Sequence, residues 1–191
     1  MLHVKVLTSD NFYSIGLSEI ANEIINDYLN EGCREECFSG EINIVFGEVI
    51  ATIEHHPARE HPDWSDNEAI KIHVPFVSRG HDLSILKYKI RKIVNMVRGN
   101  NLNHAINKEY EKIGLKKKRQ LSENEFNIIC LIGRECKIKE ISKMLNRSER
   151  TVTIHYHNAK MKMDIENRID FIKCASYIVN LPENNKNIIC L

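Results

Sequence analysis

The chain has 191 residues and a formal net charge of +1, and 42% of its residues are apolar. This length suits one large or two small domains. No stretch approaches the roughly 20 consecutive apolar residues that a membrane-spanning helix requires, and the apolar run at Val4–Leu7 is too short for a signal peptide. We therefore expect a cytoplasmic protein without a membrane anchor, in which the six cysteines are free thiols.

Acidic and basic residues are distributed unevenly along the chain. Residues 1–100 contain 10 lysines and arginines against 15 aspartates and glutamates, a balance of −5, whereas residues 101–191 contain 17 against 11, a balance of +6. Because a polyanion is attracted to basic surfaces, this asymmetry predicts that only the second half meets a polyanion.

The first hundred residues alternate between strand-like and helix-like patterns. Short apolar runs predict strands at residues 3–8, 42–46, 49–53 and 69–77. Helical spacing of apolar residues predicts helices at residues 11–30 and 83–97. The residues expected to face the core from the first helix are Ile15, Leu17, Ile20, Ile24, Ile25 and Tyr28. Strands that alternate with helices are typical of an α/β domain, so we predict one at residues 1–99 with a mainly parallel sheet.

A segment rich in His, Pro and Asp at residues 55–67 is predicted to be a loop. Its potential metal ligands, together with those at its edge, are Glu54, His55, His56, Glu60, His61 and Asp63. No residues that would orient such ligands can be identified, so a solvated loop is favoured over a metal site. Cys33 and Cys37 lack the second pair that a zinc site needs. We expect no metal and no cofactor.

The polar segment Gly99–Asn103 marks the end of this domain, and residues 100–120 are interpreted as a linker. Residues 121–179 are predicted to be helical. Ser122 and Glu125 have the spacing of a capping box at the start of a first helix. The apolar positions of the first two helices are Ile128, Ile129, Ile132, Ile138, Ile141 and Leu145.

A third helix is predicted to begin after Ser148, which suits an N-cap. Its inner stripe consists of Val152, Tyr156, Ala159 and Met163. Its opposite face carries Arg150, Ile154, His157 and Met161, with Thr153 at the flank. Two short helices, a tight turn and a third helix with a polar, partly basic outer face form a helix-turn-helix that binds DNA. A last helix is predicted at residues 168–179. The tail at 180–191 is expected to be frayed, although Ile188-Ile189 could dock on the protein.

The same stretch resembles the LuxR/FixJ-type helix-turn-helix. The positions in register with that family are Leu121-Ser122-x-x-Glu125, Ile128-Ile129-x-Leu131, Lys139-Glu140-Ile141, Leu145, Ser148, Thr151-Val152, His155, Lys162-Met163 and Arg168. The resemblance implies a four-helix output domain of bacterial response regulators and quorum-sensing activators, with a dimer seam on the last helix. The sequence departs from the family at three positions. Glu135 replaces a glycine at the end of the first helix, Arg147 replaces an apolar turn residue, and Thr153 stands where lysine is common.

The resemblance also implies which residues contact DNA bases. Thr153, Ile154 and His157 match positions that read base edges in the major groove, where an isoleucine can cover a thymine methyl group. Arg150 suits either a guanine or a phosphate.

Other residues are expected to contact the DNA backbone. Ser148 and the free N–H groups of the third helix's first turn, which includes Thr151, are suited to a phosphate. The resemblance implies phosphate contacts for Lys139 and His155; for His155 the alternative is a structural role at the edge of the buried stripe. The basic run Lys116–Arg119 is either a solvated linker or a further phosphate contact.

The N-terminal segment resembles a receiver domain in Val6–Asp10, Phe12-Tyr13, Gly16-Leu17 and Pro75–Arg79. Thr8 and Ser9 occupy the places of the acidic pair that holds Mg²⁺ in receivers, and Phe46-Gly47-Glu48 occupies the place of the phosphoacceptor. Without clustered carboxylates a hard cation has too few oxygen ligands. The resemblance therefore implies a pseudo-receiver that lacks phosphorylation chemistry and serves in dimerisation or partner docking.

No nucleophile elbow, P-loop or dinucleotide fingerprint is present, so we do not expect an enzyme. We predict a bacterial transcription regulator that binds double-stranded DNA as a homodimer and is associated with the nucleoid when bound. The alternative is an auxiliary protein that heterodimerises with another response regulator. The layout of the chain resembles that of enterobacterial capsule and acid-resistance regulators. This resemblance implies that both homodimeric DNA binding and heterodimerisation occur among such proteins. A phospho-activated regulator is a third possibility.

Overall fold

The computed structural model describes residues 2–30, 40–56, 69–78, 80–98 and 101–191. Its first part contains four strands, β1 (Leu2–Val6), β2 (Glu41–Phe46), β3 (Ile50–His56) and β4 (Ile70–Pro75). Helix α1 (Asn11–Asn30) lies between β1 and β2, and helix α2 (Leu83–Met96) follows β4. The six elements predicted for this part are confirmed, with shifts of a few residues at their ends.

The strands form one sheet in the order β1-β2-β3-β4. Only β1 and β2 are parallel, and the other two pairs are antiparallel. The prediction of a mainly parallel sheet is therefore wrong. The connection Gly47–Val49 between β2 and β3 is too short for the crossover that parallel neighbours require. The receiver-like arrangement implied by the resemblance is not confirmed.

Helices α1 and α2 cover one face of this sheet and form the first hydrophobic core. Its largest fully buried side chains are Leu17, Ile24, Ile42, Ile44, Phe46, Ile53, Ile72, Phe76, Ile90 and Ile93. Within β2 the buried residues alternate with more exposed ones, as expected for a sheet with one covered face.

The segment interpreted as a linker is packed along most of its length. It contains helix α3 (Asn101–Ile106) and a 3₁₀ turn at Tyr110–Ile113. Leu102, Ala105 and Leu115 are buried in the first core. Burial of these apolar side chains attaches the segment to the sheet domain, and the basic run Lys116–Arg119 remains exposed.

The second part consists of four helices, which we label α4 (Glu123–Gly133), α5 (Ile138–Met144), α6 (Glu149–Met163) and α7 (Arg168–Val179). Their fully buried side chains include Ile128, Ile129, Ile141, Val152, Ala159, Phe171, Cys174 and Ile178. Val49, Ile50 and Val77 from the sheet domain join this second core. The helical unit therefore packs directly against the end of the sheet.

Residues 180–191 pack on the protein, so the expectation of a frayed tail is wrong and the alternative that Ile188-Ile189 docks is confirmed. The backbone N–H of His73 donates to the carbonyl of Asn187 at 2.8 Å, and Ile189 N–H donates to the carbonyl of His73 at 2.9 Å. The side-chain amide of Gln120 donates to Cys190 O at 2.8 Å and accepts from Cys190 N–H at 2.9 Å. The tail stays on the protein for two reasons. Its backbone pairs with the N–H and carbonyl groups of His73 at the edge of the sheet, and the side chain of Ile189 is buried.

Several sequence-based interpretations concern residues that the structure describes only in part. Cys33, Cys37, Glu60, His61 and Asp63 lie outside the described residues, as does Arg79. Within the described ranges no cluster of three or more metal-ligating side chains is present, and the cysteines at 130, 136, 174 and 190 are free. None of the described helices has the length and apolar character of a membrane span.

Candidate nucleic-acid interface

The capping box predicted at the start of α4 is confirmed, and it also positions α6. Ser122 Oγ accepts from Glu125 N–H at 3.4 Å, and the Glu125 carboxylate accepts from Ser122 N–H at 2.7 Å. The same carboxylate, which is 4% exposed, accepts from Lys162 Nζ at 2.7 Å. Burial acts to raise the pKa of Glu125, but the hydrogen bonds from Lys162 and Ser122 outweigh it and lower the pKa. The charged carboxylate therefore fixes α6 against α4.

The turn from α4 to α5 forms although glycine is absent. Glu135 takes a left-handed conformation with φ 63°, the backbone region that the family's glycine adopts without cost. Its N–H donates to Ile132 O at 2.8 Å, and Cys136 N–H donates to Leu131 O at 3.1 Å. The carboxylate of Glu140 then accepts from Lys137 N–H at 2.8 Å and caps α5.

The turn from α5 to α6 brings the predicted N-cap into place. Asn146 has φ 48°, and Arg147 N–H donates to Ser142 O at 2.9 Å. Ser148 Oγ then accepts from Thr151 N–H at 3.0 Å, and its oxygen lies 2.8 Å from Thr151 Oγ1. Both hydroxyl groups are therefore gathered at the positive end of the α6 dipole.

The two faces of α6 are as the sequence predicted. Val152, Ala159 and Met163 are buried, and the half-buried Tyr156 ring meets Phe171 edge-on at a centroid distance of 5.1 Å. The opposite face carries the exposed side chains Arg150, Ile154, His157 and Met161. Ile154 is 51% exposed and Met161 is 80% exposed.

The remaining predicted contact residues lie around this face. Thr153 is half-buried, and its Oγ1 donates to Glu149 O at 2.8 Å. Lys139 is exposed on α5. His155 is half-buried, a position compatible with both alternatives considered for it. The structure thus gathers Arg150, Ile154 and His157 on one face, with Ser148 and Thr151 at the helix start.

Sequence patterns did not predict the polar contacts that join this unit to the sheet domain. Lys89 Nζ lies 2.6 Å from the Asp164 carboxylate, and Lys173 Nζ lies 3.1 Å from that of Glu48. The one sequence feature that could have indicated these contacts is Lys89, a charged residue within the apolar stripe of α2. Lys89 is 6% exposed in the structure. A charge at such a position needs a partner, but its identity depends on how the two parts pack.

Residues 119–175 match the family model described as bacterial regulatory proteins, luxR family. No curated protein and no solved structure matches the chain. The match includes α4, α5, α6 and part of α7, and therefore every predicted DNA contact from Lys139 to His157. It confirms the resemblance for this part, whereas the pseudo-receiver and the enterobacterial layout are not confirmed. Residues 119–175 are therefore similar to the luxR family of bacterial regulatory proteins.

Proposed function

We propose that this protein is a transcription regulator that recognises a specific sequence of double-stranded DNA by placing α6 in a major groove. The observation that carries the proposal is the exposed face of Arg150, Ile154 and His157 on a helix whose start is capped by Ser148. A helix of this kind fits the width of the major groove. Such a protein would act in the bacterial cytoplasm, at the nucleoid.

The contacts divide into two groups in this proposal. Thr153, Ile154 and His157 read base edges. Phosphates are bound by the start of α6 with Ser148 and Thr151, by Lys139 and by His155, while Arg150 reaches either a guanine or a phosphate.

The test is a selection of bound sites from a random DNA pool, followed by gel shifts on the selected duplex and on a shuffled duplex of equal composition. We expect the selected duplex to bind at least about 10³-fold more tightly, the lower end for specific DNA-binding proteins. Equal affinity for the two duplexes would refute sequence-specific binding. The variant Arg150→Ala/Ile154→Ala/His157→Ala should lose the preference, and Lys143→Ala on the exposed side of α5 serves as a control.

We propose that the functional unit is a dimer and that its subunits join through apolar residues on the sheet domain and α7. Phe12 is 91% exposed and Ile15 is 63% exposed on α1, although Ile15 was predicted to face the core. Ile169 on α7 is 65% exposed, which supports the dimer seam implied by the family. Sedimentation of the chain with Phe12→Ser/Ile15→Ser, and separately with Ile169→Ser, should show which surface joins two copies.

The same exposed residues support the alternative of a heterodimer with another response regulator. In that case the chain sediments as a monomer, binds DNA weakly by itself and gains affinity when the partner is added. A shifted palindromic site with the chain as the only protein would refute this alternative.

We further propose that regulation does not depend on phosphorylation, and that residues 1–99 and 121–179 act as separate functional units. Asp10 supports the first point because its carboxylate caps α1 by accepting from Tyr13 N–H at 3.0 Å. The place of the phosphoacceptor is taken by Phe46-Gly47-Glu48, where Phe46 is fully buried and Glu48 pairs with Lys173. Incubation with labelled acetyl phosphate should leave the protein unlabelled and its DNA affinity unchanged.

A further inference from the structure

A cavity of about 540 Å³ lies between the sheet and the C-terminal end of the chain. Its floor is the face of the sheet opposite α1 and α2. Its roof consists of Tyr177 from α7 and of Leu181, Pro182 and Asn185, which follow that helix. The volume is within the range of small-molecule sites, roughly 300–1,000 Å³.

The floor is built from two rows of side chains that run across the strands. The strand register places Lys5, Val45, Thr52 and His73 in one row. It places Asn43, Glu54 and Lys71 in the next row, and all seven residues line the cavity. Because side chains alternate between the faces of a strand, these residues share the face that the apolar core does not use.

His73 is the buried polar group of this floor. It is 1% exposed, and its Nδ1 lies 3.0 Å from Thr52 Oγ1. Its Nε2 is buried and has no hydrogen-bond partner among the described residues. Burial, together with the charge of Lys71, lowers the pKa of His73 to about 4. The Asn185 backbone acts in the opposite direction and raises the pKa, but the ring is neutral at neutral pH.

The charge of the cavity is positive. Lys71 is neutralised by Glu54, since Lys71 Nζ lies 2.6 Å from the glutamate oxygen. Lys5 is exposed and forms no ion pair with any described residue. The apolar side chains Val45, Leu181 and Pro182 lie beside these polar groups. One unpaired cation next to an apolar wall suits a ligand that has one anionic group and a compact apolar body.

We propose that this cavity binds a small organic carboxylate, with its anionic group at Lys5 and its apolar body between Val45 and the Tyr177–Pro182 roof. The floor belongs to the sheet domain, and the roof consists of the end of α7 and the residues that follow it. Tyr177 already spans the two, because its hydroxyl lies 3.3 Å from Thr52 Oγ1 and its ring meets His73 edge-on at 5.8 Å. An occupant would therefore hold the two parts together and raise the melting temperature of the chain.

The test is an NMR titration of the full ¹⁵N-labelled chain with benzoate as the probe and benzylamine as a cation of similar shape. We expect saturable shifts with benzoate at the amides of Lys5, Thr52, His73 and Tyr177, and none with benzylamine. Lys5→Gln should weaken benzoate binding about tenfold or more, because it removes a charge-assisted contact. The exposed lysine of α5 provides the matched control Lys143→Gln, which should bind benzoate as the parent does.

Tyr177→Phe provides a second variant, which keeps the ring of the roof and removes its hydroxyl. Tyr177→Phe should retain benzoate binding. Retention in this variant together with a loss in Lys5→Gln would assign the loss to the anion contact and not to unfolding. Equal shifts with benzoate and benzylamine, shifts confined to other parts of the chain, or no saturation by about 10 mM would overturn the proposal. The measurement contains no DNA, so its failure is independent of the proposed regulatory function.

Discussion

The ammonium group of Lys89 lies 2.6 Å from the carboxylate of Asp164, which joins α2 of the sheet domain to the residue that ends α6. Lys89 is almost fully buried and also lies 3.0 Å from His81 Nε2. A buried ammonium group is costly without a countercharge. This pair therefore couples the position of the proposed recognition helix to the sheet domain.

The first prediction is that Asp164→Asn destabilises the chain by roughly 1–3 kcal/mol, because Lys89 loses its countercharge. Asp164 has φ 52°, a conformation that asparagine also tolerates, so the change isolates the charge from the backbone. Urea unfolding provides the measurement. The control Lys89→Met/Asp164→Asn removes the stranded charge and should recover much of the loss. An unchanged unfolding midpoint for Asp164→Asn would show that the pair contributes nothing.

The second prediction is that Glu135→Gly stabilises the chain by about 1 kcal/mol, since the left-handed φ of 63° is unfavourable for a residue with a Cβ. The readout is the thermal midpoint. Glu135→Ala retains the Cβ and should bring no comparable gain. By contrast, Gly133→Ala should destabilise the chain, because a Cβ there would overlap the backbone carbonyl of Ala175 on α7.

The third prediction concerns the loss of folding stability at acid pH. The pKa of Glu125 is lower in the folded chain than in the unfolded chain, so the unfolded state takes up the proton first as the pH falls. The stabilisation by Glu125 is therefore fully present above the ordinary glutamate range and is lost as the pH falls through and below it. Glu125→Gln should lower stability at neutral pH and flatten its decline in acid. Parallel urea midpoints for the two proteins across that range would contradict this assignment.

The fourth prediction separates base recognition from phosphate binding. Thr153→Ala and His157→Ala should each change the preferred base at one position, at a cost of about 1–3 kcal/mol on the original site. Lys139→Ala should weaken binding to all sequences alike and lower the log–log salt slope by about 0.9. Gel shifts on specific and random duplexes at several salt concentrations measure both effects. Equal losses on both duplexes for all three variants would refute the division of roles.

The fifth prediction addresses the basic run Lys116–Arg119, which is exposed directly before Gln120. The backbone carbonyl of Gln120 accepts from Lys162 Nζ of α6 at 2.9 Å, so the run is attached to the DNA-binding unit. Replacement of its four basic residues by glutamine should lower the salt slope by about 0.9 for each phosphate that the run neutralises in the parent protein. Arg91→Gln on α2 is the control. An unchanged slope would identify the run as a solvated segment.

Local patterns in the sequence were sufficient for the four strands, for α1, α2 and α4 to α7, and for the exposed face of α6, but they did not predict α3. The capping box of α4 and the N-cap of α6 depend on residues three positions apart. The two faces of α6 follow from the helical repeat of apolar and polar residues. Both signals come from residues that are close together in the sequence. For the same reason the exposure of Arg150, Ile154 and His157 was predictable. The left-handed turn at Glu135 was not, because backbone strain at a residue other than glycine is imposed by the packing of α4 and α5 around it.

Periodicity and capping patterns were thus enough to predict the strands, the helices other than α3, and the side chains that α6 presents to solvent. Three features depend on packing between distant parts of the chain: the sheet is mostly antiparallel, residues 187–189 lie along β4, and Lys89 pairs with Asp164. The tertiary structure also decided that Lys5 and His73, which are 68 positions apart, share a cavity floor beneath Tyr177. Periodicity in the sequence indicates only which face of a strand or helix is buried. It does not indicate which strands pair or which residues meet between the two parts, because these contacts join residues that are distant in the chain.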